Sequence, residues 1–176
     1  MAHERPDPVL GLSAGAEAGL VAWVVVQIVM VVITLAAGPD LWMGPRRAGA
    51  PYLVPRSMQP GFDSWMVPIG VLCHIGIAVG WGALFSALFC GLSAAPTIAA
   101  GVAWGLVAWR LMYDFVYPAL GVVPVLAWAP IGVAGGLHVL YGVALALMLL
   151  ALERRRDGNS SPSIEARSSR RRDTAA

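Results

Sequence analysis

Charged residues are scarce in this sequence, and lysine is absent from it. Asp, Glu, Lys and Arg together make up 12% of the 176 residues, whereas hydrophobic residues make up 58%. A soluble domain usually carries about 25% charged and about 45–50% apolar residues. So few charges cannot cover a surface that faces water, which excludes an ordinary soluble globular protein. The mean hydropathy of +0.71 agrees with that exclusion.

Cysteine is also rare, and common catalytic and metal-binding motifs are missing. Cys73 and Cys90 lie on one predicted helix, about 25 Å apart at the helical rise, which is far beyond the reach of a disulfide. No Cys/His spacing is typical of a zinc site. There is no His-Glu-x-x-His pair and no phosphate-binding loop. The sequence therefore predicts no metal, no resident cofactor, no catalytic residue and no enzymatic activity.

Four apolar stretches are each long enough to cross a bilayer, which takes about 20 residues. They cover residues 19–38, 66–90, 95–117 and 126–152. In lipid an isolated strand would leave its backbone polar groups unpaired, so these stretches are expected to be helices. The links 91–94 and 118–125 are short, which makes spans two, three and four antiparallel neighbours. The predicted fold is an all-α, four-helix transmembrane bundle over residues 15–152.

The distribution of arginine predicts how the bundle is oriented. A short tail of residues 1–14 precedes the bundle, an external loop of residues 39–65 follows span one, and an Arg/Ser-rich tail of residues 153–176, expected to be disordered, ends the chain. Four spans put both termini on one side. That side holds eight arginines, against three in the loop. Positive charge concentrates on the cytoplasmic side of membrane proteins, so both termini are predicted to be cytoplasmic.

Similar segments recur in the two halves of the predicted bundle. Ala18-Gly19-Leu20-Val21-Ala22-Trp23 in span one resembles Ala100-Gly101-Val102-Ala103-Trp104 in span three. This register sets Met30 opposite Met112. Spans two and four each carry one histidine, His74 and His138. The pattern is typical of a helical hairpin used twice in one orientation, about an axis along the membrane normal.

Five polar residues within the spans are candidate ligand- or proton-binding residues. Arg110 and Asp114 are four residues apart and share one face of span three. The directions of the spans place this pair at the depth of His74 and His138, in the outer half of the bundle, with Tyr141 one turn deeper. Because ionisable groups are costly inside a bilayer, we expect a buried polar cluster. It either holds the bundle together or binds a proton or small ligand, and a histidine in it would titrate near neutral pH.

The segment His138-Val139-Leu140-Tyr141-Gly142, with the Arg110/Asp114 pair before Pro118, resembles a group of small bacterial inner-membrane proteins. These are four-helix proteins of uncharacterised function, of the YagU-like type, and one of them is associated with acid resistance. The resemblance extends over most of residues 15–152. It implies the four-helix fold and the bacterial inner (plasma) membrane, and it transfers no catalytic residue.

Several functions fit these features. The leading prediction is a non-enzymatic inner-membrane protein built around the polar cluster. One alternative is a redox carrier, in which His74 and His138 ligate a b-type haem and Arg110 pairs with a propionate. Another is a small transporter or channel subunit that acts as an oligomer. The predicted partners are the lipid bilayer and a homo-oligomer or larger membrane complex. Nucleic acid is not a predicted partner. An arginine tail binds any polyanion, so its presence does not indicate nucleic acid in particular.

Overall fold

The computed structural model describes residues 8–37, 40–48, 59–121 and 131–160. Helices and turns make up this part of the chain, and no strand occurs within it. Four of its helices are long and apolar enough to cross a membrane, over Gly11–Ala36, Met66–Phe89, Ala94–Ala119 and Gly132–Arg156. The prediction of an all-α fold with four membrane-spanning helices is therefore confirmed.

The first helix, α1 (Pro8–Ala37), begins well before the predicted start of span one at residue 19. Part of the predicted N-terminal tail is therefore helical. Proline is favoured in the first turn of a helix, because an N–H is not needed there. The added turns also make tertiary contacts, since the buried hydroxyl of Ser86 donates a hydrogen bond of 2.8 Å to the carbonyl oxygen of Gly11.

The predicted external loop contains a short helix, α2 (Met43–Ala48), which the sequence analysis did not predict. The carboxylate of Asp40 orders the chain before it by accepting a 3.0 Å hydrogen bond from the backbone N–H of Trp42. Trp42 packs edge-on against Phe62, with 5.0 Å between ring centroids. These contacts hold α2 against the next long helix. Residues 49–58 of the loop lie outside the described residues.

The second span, α3 (Met66–Phe89), matches the predicted boundaries. Asp63 caps its first turn, because one carboxylate oxygen accepts hydrogen bonds of 2.9 Å from the backbone N–H groups of Trp65 and Met66. Backbone N–H groups in a first helical turn have no partner within the helix. This cap therefore fixes the point at which the chain enters the bundle.

The third span, α4 (Ala94–Leu111), continues through a π-helical turn, Met112–Val116, into a last α-helical turn, Tyr117–Ala119. Its extent agrees with the prediction, but the π-helical turn was not predicted. Such turns are rare and occur often at functional sites.

The fourth span, α5 (Ile131–Ser160), runs beyond the predicted end at residue 152. Residues 153–160 are thus helical, which corrects the prediction that the disordered tail begins at residue 153. Glu153 explains part of the extension, because its carboxylate accepts a 3.0 Å hydrogen bond from the backbone N–H of Gly91 in the turn between α3 and α4. The start of predicted span four before residue 131, and the tail beyond residue 160, lie outside the described residues.

The four spans form two hairpins, α1 with α3 and α4 with α5, and α1 also packs against α5. Glycine allows close backbone contact in each hairpin. A Cβ on Gly82 would lie 2.7 Å from the Cα of Gly19, and a Cβ on Gly142 would lie 2.8 Å from the carbonyl carbon of Gly101. A Cβ on Gly105 would likewise overlap the backbone of α5.

The repeated crossing agrees with a hairpin used twice, but its register differs from the predicted one by one helical turn. Gly15 and Gly82 approach each other's carbonyl oxygens in the first hairpin as Gly101 and Gly142 do in the second, which aligns Gly15 with Gly101 and therefore Gly19 with Gly105. The sequence match had aligned Gly19 with Gly101. Four residues is about one helical turn, so both alignments preserve the helix face. Only the contacts between helices distinguish them.

The hairpins converge at one end of the bundle and diverge at the other. Near the turn between α3 and α4, Trp81 and Trp104 pack edge to face with 5.0 Å between ring centroids, and Phe89 packs against Trp104. Elsewhere α3 and α4 touch little. We call the end at which α2 lies the loop end. The divergence of α3 and α4 leaves space between the spans there.

Candidate functional site

A cavity of about 530 Å³ occupies the loop end of the bundle. All four spans contribute to its wall, and α2 contributes from the side of the loop. Most of the wall is apolar. Its polar side chains are those of Gln27, Arg47, His74, Tyr113, Tyr117, His138 and Tyr141. Ligand sites in proteins typically measure about 300–1,000 Å³ and combine apolar walls with a few polar groups.

His74 lies on α3 and joins the cavity wall to α1. Its Nδ1 atom is 3.3 Å from the side-chain amide nitrogen of Gln27. The ring of Trp23 stands edge-on to the imidazole, with 6.4 Å between centroids. An amide nitrogen only donates, so Nδ1 accepts this hydrogen bond and the proton of a neutral His74 is on Nε2. His74 is then a hydrogen-bond donor through that atom.

His138 has the opposite arrangement. Its Nδ1 atom lies 2.8 Å from the carbonyl oxygen of Ala134, one turn earlier on α5. A carbonyl oxygen only accepts, so Nδ1 carries the proton and Nε2 is an acceptor when the ring is neutral. Tyr113 from α4 stands edge-on to the ring, with 6.1 Å between centroids. The two histidines thus line one cavity, as predicted from their depth, with complementary hydrogen-bonding roles.

Tyr141 is buried and lies deeper on α5 than His138. Its hydroxyl donates a 2.6 Å hydrogen bond to the carbonyl oxygen of Ala78 on α3. This bond links the two hairpins across the floor of the cavity. Tyr141 therefore contributes to the wall and to the packing of the bundle.

Arg110 and Asp114 do not belong to this site, which corrects the prediction of one buried cluster. They form an ion pair of 2.6 Å on the surface of the bundle, where their side chains are 56% and 36% exposed. Neither lines the cavity. The residues of α4 that do so include Ala108 and Met112, and Arg110 is about half a turn from each of them. The pair shares a helix face, as predicted, but that face points away from the histidines.

The π-helical turn of α4 brings two tyrosines to the cavity wall. Tyr113 and Tyr117 pack edge to face, with 5.5 Å between ring centroids, and both line the cavity. This turn could not be predicted, because a π-helical turn has no simple sequence signature. The pair closes the side of the cavity formed by the end of α4.

Arg46 and Arg47, which in the sequence serve only to predict orientation, lie on α2. Arg46 is buried and forms a 2.7 Å ion pair with Asp40. It also donates a hydrogen bond to the carbonyl oxygen of Gly61. The hydrogen bond from Arg46 lowers the pKa of Asp40 below its usual value, against a smaller opposing effect of desolvation. We call the contacts among Asp40, Arg46 and Gly61 the latch.

Arg47 differs from its neighbour, because successive residues on a helix point about 100° apart. It lines the cavity, and its Nε and Nη1 atoms are buried without a hydrogen-bond partner in the described part of the chain. Burial, followed by the charge of Arg46, lowers the pKa of the Arg47 guanidinium, and the charge of Asp40 partly offsets this. Arginine nevertheless stays protonated at neutral pH. A partly desolvated cation thus lies at the mouth of the cavity.

The prediction that the chain has no hydrolase motif needs one correction at the level of sequence pattern. Gly11-Leu12-Ser13-Ala14-Gly15 matches the Gly-x-Ser-x-Gly pattern of serine hydrolases. In those enzymes the serine lies on a sharp turn between a strand and a helix. Here the five residues lie inside α1, and Gly15 packs against the backbone of α3. The pattern therefore reflects helix packing.

Metal ligands are not clustered in the described residues: no group of three or more His, Cys, Asp or Glu side chains there is placed to hold an ion. Cys73 lines the cavity and is half-buried, with a free thiol. Comparison with known proteins identifies no relative, since no family model, no curated protein and no solved structure matches the chain. The resemblance to YagU-like proteins accordingly stays a prediction.

Proposed function

We propose that this membrane protein binds a small molecule in the cavity at the loop end of its bundle, and that it is not an enzyme. The observation that carries the proposal is the cavity itself, about 530 Å³ in volume and lined by all four spans. Helix bundles usually fill such space with side chains, because an empty volume forfeits dispersion contacts. A cavity of this size with polar groups converging on it is the usual form of a ligand site.

The state of the polar groups favours binding over a purely structural role. Structural polar groups inside a bundle are normally paired with one another. Tyr141 and Ser86 follow that rule. Some buried nitrogens have no partner in the described residues: those of Arg46, Trp104 and Trp109 lie away from the cavity, and those of Arg47 and Trp23 belong to residues that line it. Among these residues, Arg47 gives the cavity wall a cationic side chain that a bound acceptor would pair.

The proposed setting is a bacterial inner membrane with both termini in the cytoplasm. The arginine count supports this orientation. The loop end then faces away from the cytoplasm, and the cavity lies in the outer half of the bilayer. The proposed ligand accordingly reaches the protein from the outer leaflet or from the space beyond it.

Native mass spectrometry of the full-length protein, extracted gently from membranes, tests this function. Gly76 lines the cavity, whereas Gly80, one turn away on the same helix, does not. A Cβ at either position would meet no atom within 4 Å, so Leu is expected to be tolerated at both. We expect the wild type and Gly80→Leu to carry a dissociable small-molecule adduct and Gly76→Leu to carry less of it. Equal adducts on both variants, or none on the wild type, would count against the cavity as a ligand site.

A b-type haem is the second candidate, favoured by the hydrogen bond of His138. Histidines that ligate metals usually donate their other ring N–H to a carbonyl or carboxylate. His138 is held in this way by Ala134. Ligation by His74 requires the amide of Gln27 to turn its oxygen toward Nδ1. Arg47 replaces Arg110 as the candidate partner of a propionate, because Arg47 lines the cavity and Arg110 does not.

Absorbance spectra test the haem candidate. Protein expressed with haem available would be measured first oxidised in air and then reduced with dithionite. A Soret band that shifts on reduction, and is lost in both His74→Ala and His138→Ala, would establish haem as the ligand. A featureless spectrum would remove this candidate and leave a colourless small molecule.

A further inference from the structure

The two arginines of α2 are adjacent in sequence but differ in their partners. Arg46 is bound by Asp40 and by the carbonyl oxygen of Gly61. The Asp40 carboxylate also accepts a 3.2 Å hydrogen bond from the backbone N–H of Gly61, so it is fully engaged in the latch. Arg47 has no such partner for Nε and Nη1 within the described residues. Desolvating a cation without pairing it is unfavourable, and an anion bound beside Arg47 would offset this cost.

The rest of the cavity wall adds further donors, beside the acceptor Nε2 of His138. Among the residues that the structure describes, no Asp or Glu lines the cavity. The buried indole N–H of Trp23 lacks an acceptor in the described part of the chain, and His74 presents its Nε2 proton because Nδ1 accepts from Gln27. A cationic ligand would find no carboxylate here. A ligand with a negatively charged head group would find a guanidinium and further donors.

The cavity is also apolar along the line where α3 and α4 diverge. Ile77 from α3 and Met112 from α4 line it, and Ile77 is 40% exposed. Within the described residues, α3 and α4 touch little beyond Trp81 and Trp104, so apolar side chains of both helices border the cavity along this seam. Such a lining suits an apolar chain.

We propose that the cavity binds an amphipathic anion, an acyl chain with a carboxylate or phosphate head group. The head group binds the guanidinium of Arg47 under α2, and the chain lies in the seam between α3 and α4. Guanidinium forms paired, charge-assisted hydrogen bonds with both head groups, so the shared chemistry defines the ligand class. This assignment rests on the proposed small-molecule function and specifies its ligand.

Two probes of matched shape test the assignment, ω-bromoundecanoate and the uncharged ω-bromoundecanol. Bromine quenches the fluorescence of nearby tryptophan, and Trp23 and Trp81 both line the cavity. Saturable quenching of the purified full-length protein therefore measures binding. A variant with Trp23→Phe and Trp81→Phe is expected to lose most of this signal, which confirms that it reports on the cavity.

We expect the wild type to bind the carboxylate about tenfold more tightly than the alcohol, as a charge-assisted hydrogen bond would produce. Arg47→Gln should bring the two affinities together, and Arg47→Lys should keep part of the difference. Arg154→Gln, which removes an exposed arginine far from the cavity, is the control for net charge. Excess acetate should not displace ω-bromoundecanoate, because acetate lacks the chain.

The outcomes distinguish the ligand class from the function. Equal affinity for both probes in the wild type, or a preference that survives in Arg47→Gln, overturns the anionic head group and leaves a cavity that binds uncharged molecules. Displacement by acetate overturns the acyl chain. Absence of saturable quenching by either probe overturns the acyl ligand class, whereas the proposed function is overturned only if native mass spectrometry also finds no adduct that Gly76→Leu reduces.

Discussion

The Nδ1 atom of His74 lies 3.3 Å from the amide nitrogen of Gln27, so the two helices of the first hairpin are joined by a polar contact within the bundle. Each group is half-buried, and both line the cavity. Each side chain supplies the hydrogen-bond partner of the other, so replacing both can measure how far their contributions to stability are coupled.

We predict that Gln27→Leu and His74→Leu each destabilise the bundle and that the double variant is less destabilised than the sum. Removing one partner leaves the other unsatisfied at a cost of about 1–3 kcal/mol, whereas removing both replaces the pair with apolar side chains. The wild type, the two single variants and the double variant would be heated in detergent, and size-exclusion chromatography would measure how much folded protein of each remains. Strictly additive losses would show that the two side chains act independently.

Close backbone contact at Gly82 gives a second prediction. A Cβ at this position would approach the Cα of Gly19 to 2.7 Å, so Gly82→Ala must push α1 and α3 apart. We expect destabilisation of about 1–3 kcal/mol, typical of overpacking. Gly80→Ala is the matched control, because its Cβ meets no atom within 4 Å. Because alanine favours the helix more than glycine does, Gly80→Ala should be at least as stable as the wild type.

The corresponding glycine crossing in the second hairpin should be equally sensitive to an added methyl group. Gly142→Ala is expected to destabilise α4 against α5, and Gly136→Ala, whose Cβ would lie in open space, is its control. If both glycine crossings are equivalent, the losses should be similar in the two hairpins. Tolerance of Ala at Gly82 and Gly142 would contradict the close crossing.

The latch predicts how α2 responds to pH. The hydrogen bond from Arg46 lowers the pKa of Asp40 from its usual value of 3.8, so the folded state favours the ionised carboxylate. Its contribution to stability is present above pH 3.8 and is lost as the pH falls through the lowered pKa of the folded state. The latch should therefore be intact throughout the neutral and mildly acidic range.

Asp40→Asn should weaken the latch at every pH at which the Asp40 carboxylate of the wild type is ionised. Hydrogen exchange at neutral pH should become faster in Met43–Ala48 and stay unchanged in the buried part of α5. The difference in thermal stability between the wild type and Asp40→Asn should be constant from pH 8 to about pH 5 and shrink below about pH 4. A difference that disappears already at pH 6 would indicate that another group, not Asp40, controls the latch.

The four spans were predictable because each is a long apolar run in a chain with few charges. The positions of His74 and His138 were predictable in depth, since depth follows from counting residues along a span. The direction in which Arg110 points was not. Both faces of a helix in lipid are apolar, so the pattern that reveals the buried face of a soluble helix is weak here.

The role of Arg47 was hidden for a different reason. An arginine in a loop is read from sequence as a topology signal. Whether its guanidinium is paired depends on where Asp40 and the backbone of Gly61 lie, and these are contacts made by the folded chain. α2 itself is only six residues long and contains a proline, so helix propensity alone does not predict it.

The pair of Arg110 and Asp114 provides the last prediction. The ion pair of 2.6 Å lies on the surface of the bundle within the third span, where lipid is the expected neighbour. A lone carboxylate inside a bilayer costs about 2.5–3.5 kcal/mol on insertion scales. Arg110→Ala should therefore reduce the yield of folded protein more than the double variant Arg110→Ala/Asp114→Ala, which removes both charges.

Ligand binding separates this pair from the site. Because neither residue lines the cavity, folded protein of the double variant should bind ω-bromoundecanoate as the wild type does. Membrane-fraction yields and quenching titrations on the same preparations measure both effects. Additive losses of yield would mean that the charges do not stabilise each other in the membrane. A large loss of affinity in the folded double variant would return both residues to the site, and the arrangement of α4 around its π-helical turn would then have to differ in the membrane.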